Sequence, residues 1–298
     1  QNNTAAMLMP TSQRNFGANE KVLAMRIKAV GNIGKITKAM KMVAAAKMRG
    51  DLVRLQNGRR FGINGIDMMF KADPAMMRKS GEMPADPKEL LVPLSSDRGL
   101  CGGINSGIIR HLRAYLANKD HSKVKIFALG DKGAAAMKRP FPDMLTMGIS
   151  DIQSPYNYPM CMSVGEHIVK NSSDVDRIRL YYNEFKSAIA YEIREVELMP
   201  KHRFVDISKS GNLYFKMAIP DKNLAVPALY ELYISSNLWV AFLNNSAAEQ
   251  SSRMTAMENA SKNAGEIVQA LKLKYNYARQ ARITTELCEI ISGASAME

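Results

Sequence analysis

The distribution of proline is the feature of this chain that most limits its fold. After Pro10 the next proline is Pro74, the others fall between Pro84 and Pro227, and none follows Pro227. Because a proline inside a helix costs about 3 kcal/mol, long helices are confined to stretches without it. The chain therefore has room for two long helical arms, one on each side of a proline-containing middle.

Both arms carry the residue spacing of amphipathic helices. The first is predicted to run from Asn19, a suitable N-cap, to Ala72, and the second from Pro227, a suitable first-turn residue, to near Gly293. Small or apolar residues recur in each at steps of three and four, which places them on one helix face. These stripes consist of Ile27, Val30, Gly34, Thr37, Met40, Ala44, Met48, Leu52 and Leu55 in the first arm and of Met257, Ala260, Ala264, Ile267, Leu271, Tyr275, Ala278, Ala281, Thr285, Cys288 and Ile291 in the second.

Helices of this length need a partner, and two striped arms in one chain indicate that each pairs with the other. The arms would lie antiparallel if the middle brings their bases together. Gly58, Gly62 and Gly65 predict an irregular end to the first arm. The stripes also fit shorter amphipathic helices packed on a core, since typical helices are much shorter.

The middle of the chain alternates strand-like and helix-like segments, which predicts a small, open, Rossmann-like α/β sheet. The predicted strands are residues 89–95, 123–129, 177–185 and 187–199, with helices at 104–117 and after Gly130. No pattern assigns the segments 73–88 and 201–221. The predicted organisation is an N-terminal extension (1–18), an N-terminal coiled-coil helix (19–72), a central α/β domain (73–221) and a C-terminal coiled-coil helix (222–298).

The net charge of +13 raises the question of nucleic acid binding. Twelve basic and three acidic residues lie between Glu20 and Ala72, so the excess is concentrated on the first arm. An RNA-binding protein using this arm is one alternative, but only Phe61 and Phe70 are available there for base stacking. We therefore expect no nucleic acid partner. No stretch approaches the roughly 20 unbroken apolar residues of a membrane helix, so no direct membrane insertion is expected either.

Few residues in the chain suggest chemistry. The cysteines (Cys101, Cys161 and Cys288) are too widely spaced for a disulfide framework or a zinc site, and no histidine forms a metal pattern. Glycine turns at 98–103 and 130–133 follow strands but match no phosphate-binding motif, so tight turns are the favoured interpretation. A scaffold protein with a nucleotide-binding α/β domain stays the main alternative. The sequence predicts no enzyme activity, no cofactor and no metal.

Four segments, in order along the chain, resemble the gamma subunits of F-type ATP synthases. Residues 36–48 (ITKAMKMVAAAKM) resemble the signature of the first helix in that family. Residues 97–105 (DRGLCGGIN) resemble its turn after the first strand, and residues 249–257 (EQSSRMTAM) and 278–287 (ARQARITTEL) resemble its last helix. Together these segments are highly specific and span most of the chain.

The resemblance implies a fold and a function. The terminal helices would form an antiparallel coiled coil that rises into a hexameric ring of alpha and beta subunits. The central domain would bind the epsilon and delta-type stalk subunits and the membrane c-ring. Proton flow would turn this rotary central stalk, and the stalk would drive each catalytic beta subunit through its conformations. The implied location is the matrix side of the mitochondrial inner membrane, as a peripheral protein. The chain begins with Gln1, which favours a mitochondrial over a bacterial setting while both stay open.

The resemblance also assigns residues. Arg279, Gln280, Thr284, Glu286 and Glu289 match family positions that contact the beta subunit. Met40, with Lys38 and Lys41, matches a coupling segment packed beside that region, although Met40 alone fits a seam position equally well. Two further groups are a bearing tip and a central-domain turn: Ile290, Ile291, Ala294 and Ala296 in the tip, and Arg98, Gly99, Leu100, Cys101 and Gly102 in the turn.

Overall fold

The computed structural model describes residues 12–71, 86–152, 154–209 and 222–297. The elements within these ranges alternate between strand and helix in the middle and begin and end with a long helix. In chain order they are α1 (Ser12–Lys71), β1 (Glu89–Pro93), α2 (Ile104–Leu116), β2 (Val124–Leu129), α3 (Asp131–Lys138), β3 (Leu145–Ile149), α4 (Tyr158–Asn171), β4 (Arg177–Ser187), β5 (Ala190–Leu198), α5 (Lys201–Lys209) and α6 (Lys222–Ser295).

The chain divides into two compact units. The first contains the residues up to Met42 and those from Met257 onward, and the second contains residues 43–256. Of the predicted extension at 1–18 and the segments 73–88 and 201–221, the described residues are the beginning of α1 (12–18), the residues 86–88 before β1 and the whole of α5; the remaining positions lie outside the described residues.

The second unit contains a five-stranded sheet with the strand order β3-β2-β1-β4-β5. Strand β1 pairs in parallel with both β2 and β4, and β2 pairs in parallel with β3, while β5 is antiparallel to β4. This is the order of a Rossmann-type sheet with an antiparallel edge strand, so the prediction of an open α/β sheet is confirmed. Strand β3 and helices α4 and α5 were not predicted.

Strands β1 and β2 are buried on both faces of the sheet, as expected for parallel strands covered by helices. Successive side chains of β1 point to opposite faces. Leu90 and Val92 join a large core with residues of α4, α5 and α6, whereas Leu91 joins a smaller core with residues of α2 and α3. The base of the last helix is therefore part of the main hydrophobic core of this unit.

In the first unit, α1 and α6 pair side by side. Lys41 Nζ lies 2.7 Å from Glu258 Oε1, and Arg282 Nε lies 2.9 Å from Glu20 Oε2. Residue numbers thus fall along one helix as they rise along the other, which defines an antiparallel pair. The predicted antiparallel pairing of the terminal helices is confirmed within this unit.

The predicted stripe of the first arm is correct, because all nine positions are buried or half-buried. The stripe of the second arm is correct only in part. Ile267 is exposed, and its neighbour Val268 is half-buried in its place. Such drift is expected because 3.6 residues per turn do not fit a strict repeat. Four predicted positions near the end of the arm are exposed: Ala281, Thr285, Cys288 and Ile291.

Three predictions about the helix ends are wrong. Helix α1 begins at Ser12, so Asn19 lies inside it, and α1 continues through the glycines to Lys71. In the second unit Gly58 and Gly62 are buried against Leu243 and Val240 of α6, where a Cβ atom on either glycine would collide. These glycines therefore permit a close helix approach rather than ending the helix. Helix α6 begins at Lys222, the first residue of the predicted C-terminal segment, so Pro227 lies inside it and not in its first turn.

Candidate functional site: the terminal helix pair and the central-domain turn

The five residues assigned to beta-subunit contact lie on α6 in the first unit, and all five side chains are exposed. Arg282, in the middle of this group, lies 3.6 Å from Glu286 as well as close to Glu20 of α1. One guanidinium therefore orients Glu286 and ties this part of α6 to α1. The group presents charged and amide side chains, which suits polar contacts that can be exchanged.

The coupling segment lies on α1 in the same unit. Lys38 is exposed, Met40 is half-buried in the helix seam, and Lys41 forms an ion pair with Glu258. Glu258 precedes Arg279 by almost six helical turns, or roughly 30 Å at 1.5 Å per residue. The structure therefore does not place the coupling segment beside the beta-contact group, and this part of the assignment is corrected. Antiparallel pairing separates the groups, because α1 and α6 run in opposite directions.

The bearing tip is the exposed end of α6. Ile290 is 68% exposed and Ile291 is 63% exposed, and Ala294 and Ala296 are also exposed. Together with Ile283 and Leu287, the two isoleucines recur at helical spacing and form an apolar face. Large apolar faces in contact with water usually mark a surface that another molecule covers.

The central-domain turn follows β1 in the second unit. Leu100 and Gly102 have φ values of 60° and 64°, which confirms the predicted tight turn. Cys101 is buried, and its Sγ accepts a hydrogen bond from Asn105 Nδ2 at 3.3 Å. Asn105 also accepts one from the Ser96 backbone N–H at 3.0 Å, so its side chain fixes the turn. The Cys101 thiol therefore packs as part of the turn.

The second glycine turn joins β2 to α3. Its helix N-terminus is capped from within the chain, because Asp97 Oδ1 accepts a hydrogen bond from the Asp131 backbone N–H at 2.8 Å. Asp97 Oδ2 accepts another from the Ile152 backbone N–H at 2.9 Å. A carboxylate thus occupies the position where a phosphate would bind in a nucleotide-binding fold.

Sequence reasoning missed a buried polar segment of α6, Asn244–Arg253. Every residue in it is buried, although only Ala247 and Ala248 are apolar. Glu249 and Arg253 form an ion pair at 2.6 Å within it. Burial raises the pKa of the Glu249 carboxyl, and the charge of Arg253 opposes this shift in part. The sequence signal that could have identified this buried polar segment is the run of small polar residues inside a helix of this length.

The described residues contain neither a candidate membrane helix nor a candidate metal site. No described helix has a window both long and apolar enough to cross a membrane. Within the same residues, no three His, Cys, Asp or Glu side chains lie close enough together to bind a metal ion.

Comparison with known proteins identifies relatives over almost the whole chain. The family model described as ATP synthase matches residues 19–297. The mitochondrial ATP synthase subunit gamma of Drosophila melanogaster is 35% identical over 295 residues, which cover 98% of this chain and 95% of that protein. The ATP synthase gamma chain of Pelagibacter ubique is 38% identical over 291 residues, with coverage of 92% and 98%. A chain of the Tetrahymena thermophila mitochondrial ATP synthase central stalk and c-ring structure is 39% identical, with a TM-score of 0.68 over 76% of this chain and 99% of that chain.

The chain has a Rossmann-type sheet in its middle and a long antiparallel pair of terminal helices. Together with these relatives, the fold defines a subunit of an ATP synthase. The chain belongs to the gamma-subunit family of F-type ATP synthases. It is the central-stalk rotor subunit of F1, a non-catalytic part of the complex. The mitochondrial relatives support a mitochondrial location.

Proposed function

We propose that the terminal helix pair is the shaft that turns inside a hexameric ring of alpha and beta subunits, with the end of α6 as its bearing. The observation that carries this proposal is the exposed apolar face of the tip, formed by Ile283, Leu287, Ile290 and Ile291. An apolar sleeve would cover this face without directional bonds that must break at each step. The relatives and the central-stalk structure from Tetrahymena support the same assembly.

The exposed polar group on α6 is proposed to contact the beta subunits as the shaft turns. Arg279, Gln280, Thr284, Glu286 and Glu289 offer hydrogen bonds and charges that can change partner between orientations. Because exposed ion pairs are weak and are screened by salt, such contacts can be exchanged at low cost. Each orientation of the shaft would favour one conformation of the neighbouring beta subunit, which is how rotation and catalysis become coupled.

The coupling segment is proposed to act on a different level of the shaft. Its Lys38 is exposed, while Met40 and Lys41 contact the helix seam. The charge of the first arm suits acidic loops on the surrounding ring. This segment would therefore contact the ring through α1, separately from the contacts that α6 makes.

The remaining parts of the proposal concern the central domain and the location. Residues 19–72 and 222–298 would form the shaft, and residues 73–221 would bind the epsilon and delta-type subunits and the c-ring. The chain would be a peripheral protein on the matrix side of the mitochondrial inner membrane. We propose no cofactor and no nucleic acid partner for it.

Alkylation of the cysteines tests the position of the tip. Cys288 is exposed near the end of α6, whereas Cys101 and Cys161 are buried. Burial also raises the pKa of the Cys161 thiol to about 12, so little thiolate is available at pH 8. We expect a thiol reagent to modify only Cys288 in the free chain. In a complex with alpha and beta subunits alone, Cys288 should become protected, as measured by mass spectrometry of the peptides.

The control is the variant Ile189→Cys, at a hairpin position that is 84% exposed in the central domain. This cysteine should react equally in the free chain and in the complex, because the ring is not expected to cover it. Equal modification of Cys288 in both states would contradict the proposed bearing.

A further inference from the structure

The crevice where Rossmann-type folds bind their ligands is filled in this chain by its own last helix. Strands β1 and β4 are parallel neighbours at the point where the strand order reverses, and ligands of open α/β sheets bind beyond the carboxyl ends of such strands. The loop after β1 leads to Cys101, and the loop after β4 contains Ala188. Both contact the buried polar segment Asn244–Arg253 of α6.

The contacts come from both sides of the crevice. Ser252 Oγ donates a hydrogen bond to the Cys101 carbonyl at 2.6 Å, and Ser251 Oγ donates one to the Ala188 carbonyl at 2.6 Å. Two adjacent serines on one helix are therefore held by two different loops of the sheet. Successive residues of a helix point about 100° apart. The two bonds together therefore fix the rotation of α6 about its own axis.

Two further elements complete the set of contacts. Asn183 Nδ2 of β4 donates a hydrogen bond to Asn245 Oδ1 at 2.9 Å. On the side of α1, Ser246 Oγ donates one to Asp51 Oδ2 at 2.8 Å. Asn183, Asn245, Ser246 and Asp51 are all buried. The polar segment is thus fixed by hydrogen bonds to four separate parts of the second unit.

The close approach of the turn depends on a glycine. Gly102 has a φ of 64°, and a Cβ atom at this position would lie 2.9 Å from Ser252 Oγ. Any side chain here would push the Cys101 carbonyl away from Ser252. The left-handed turn and the serine on α6 therefore fit each other.

Apolar residues would have held this helix to the sheet more simply. Hydrophobic contacts are non-directional, so a helix held by them alone can turn or slide at moderate cost. Buried hydrogen bonds contribute less net stability but fix one register, since every displaced donor or acceptor loses its partner in a place without water. The composition of this segment therefore favours resistance to rotation.

We infer that the segment Asn244–Arg253 and the loops around Cys101 and Ala188 form a torque lock, which holds α6 at one rotational setting on the central domain under load. The inference rests on the proposed function, because a torque acts on α6 only if the chain is a rotating shaft. Ser251 and Ser252 are positioning residues in this account, and neither takes part in catalysis.

The test uses the complete ATP synthase assembled with this chain in lipid vesicles. The variant Ser251→Ala/Ser252→Ala removes both loop contacts and keeps the helix-forming character of the segment. The matched control is Thr255→Val on the same helix, which removes a hydroxyl that donates to the Ser251 carbonyl one turn away, at 3.2 Å. The readouts are the rate of ATP hydrolysis without a proton gradient, and the number of protons pumped per ATP against an increasing gradient.

We expect the double variant to hydrolyse ATP at the native rate without a gradient and to pump fewer protons per ATP as the gradient rises. Thr255→Val should match the native complex throughout. A ratio of protons to ATP that is the same in the double variant and the native complex at every gradient would overturn the inference.

Two measurements keep the test decisive. If the double variant assembles poorly, the single variants Ser251→Ala and Ser252→Ala replace it in the test. Each keeps one of the two loop contacts, and each should lose part of the pumping under load. If a native complex did not pump at all with this chain, the proposed function itself would fail. If native and variant complexes pumped equally well, only the torque lock would fail.

Discussion

The variant Gly130→Ala is expected to lower the free energy of unfolding by about 3 kcal/mol, through backbone strain and overpacking together. Gly130 joins β2 to α3 with a φ of 93° and a ψ of 142°, a conformation that side chains rarely adopt. A Cβ atom there would collide with the backbone of Ser95, two residues after β1, including its carbonyl carbon at 2.7 Å. The backbone of the buried Ser95 cannot move aside, so the whole turn would have to shift.

Denaturant unfolding of the full chain measures this effect. The matched control is Gly99→Ala in the neighbouring turn, where the nearest atom to a new Cβ would be Lys132 Cε at 3.9 Å. That variant should stay within about 0.5 kcal/mol of the native chain, as surface substitutions usually do. Equal stability of the two variants would show that the described turn at Gly130 is incorrect.

The second large effect is expected for Glu89→Ala, at about 3 kcal/mol of lost stability. Glu89 is 1% exposed at the beginning of β1, and its Oε1 lies 3.3 Å from Arg179 Nε and 3.5 Å from an Arg177 nitrogen. It also accepts a hydrogen bond from the Tyr115 hydroxyl, and burial, reinforced by this carboxylate, raises the pKa of Tyr115. Without Glu89, two half-buried guanidiniums would lose their shared counter-charge.

The expected loss is at the lower end for a broken buried ion pair, because both arginines keep another partner. Arg177 lies 3.4 Å from Glu197, and Arg179 pairs with Glu195. Glu195→Ala provides the control, since that carboxylate is more exposed and its loss should cost at most about 1 kcal/mol. Thermal unfolding measures the stability of both variants. A larger loss of stability in Glu195→Ala than in Glu89→Ala would contradict the account.

Local signals in the sequence predicted the main elements of the fold. The prolines marked the two arms, and the stripe through Ile27 and Leu55 identified the face of α1 that is buried. Apolar runs identified β1 and β2, because both are covered on the two faces of the sheet. Strand β3 was missed for the opposite reason: it is a short edge strand, and Met147 on it is 38% exposed.

The details that depend on distant residues could not be predicted. The polar segment around Ser251 and Ser252 reads as a solvated helix face until the loops at Cys101 and Ala188 are brought to it by the strand order. Ile291 is exposed, although the stripe placed it in the seam. The proposed beta-contact residues came from the family resemblance and from no physical pattern, and they stay predictions.

The central claim is that this chain turns relative to the ring that surrounds its terminal helices. A fluorescent bead attached at Ile189→Cys, on an exposed hairpin of the central domain, reports this directly when an alpha and beta ring holding the chain is fixed to a surface. On addition of ATP, the account predicts continuous rotation of the bead in one direction. A bead that stays fixed while the same complexes hydrolyse ATP would contradict it.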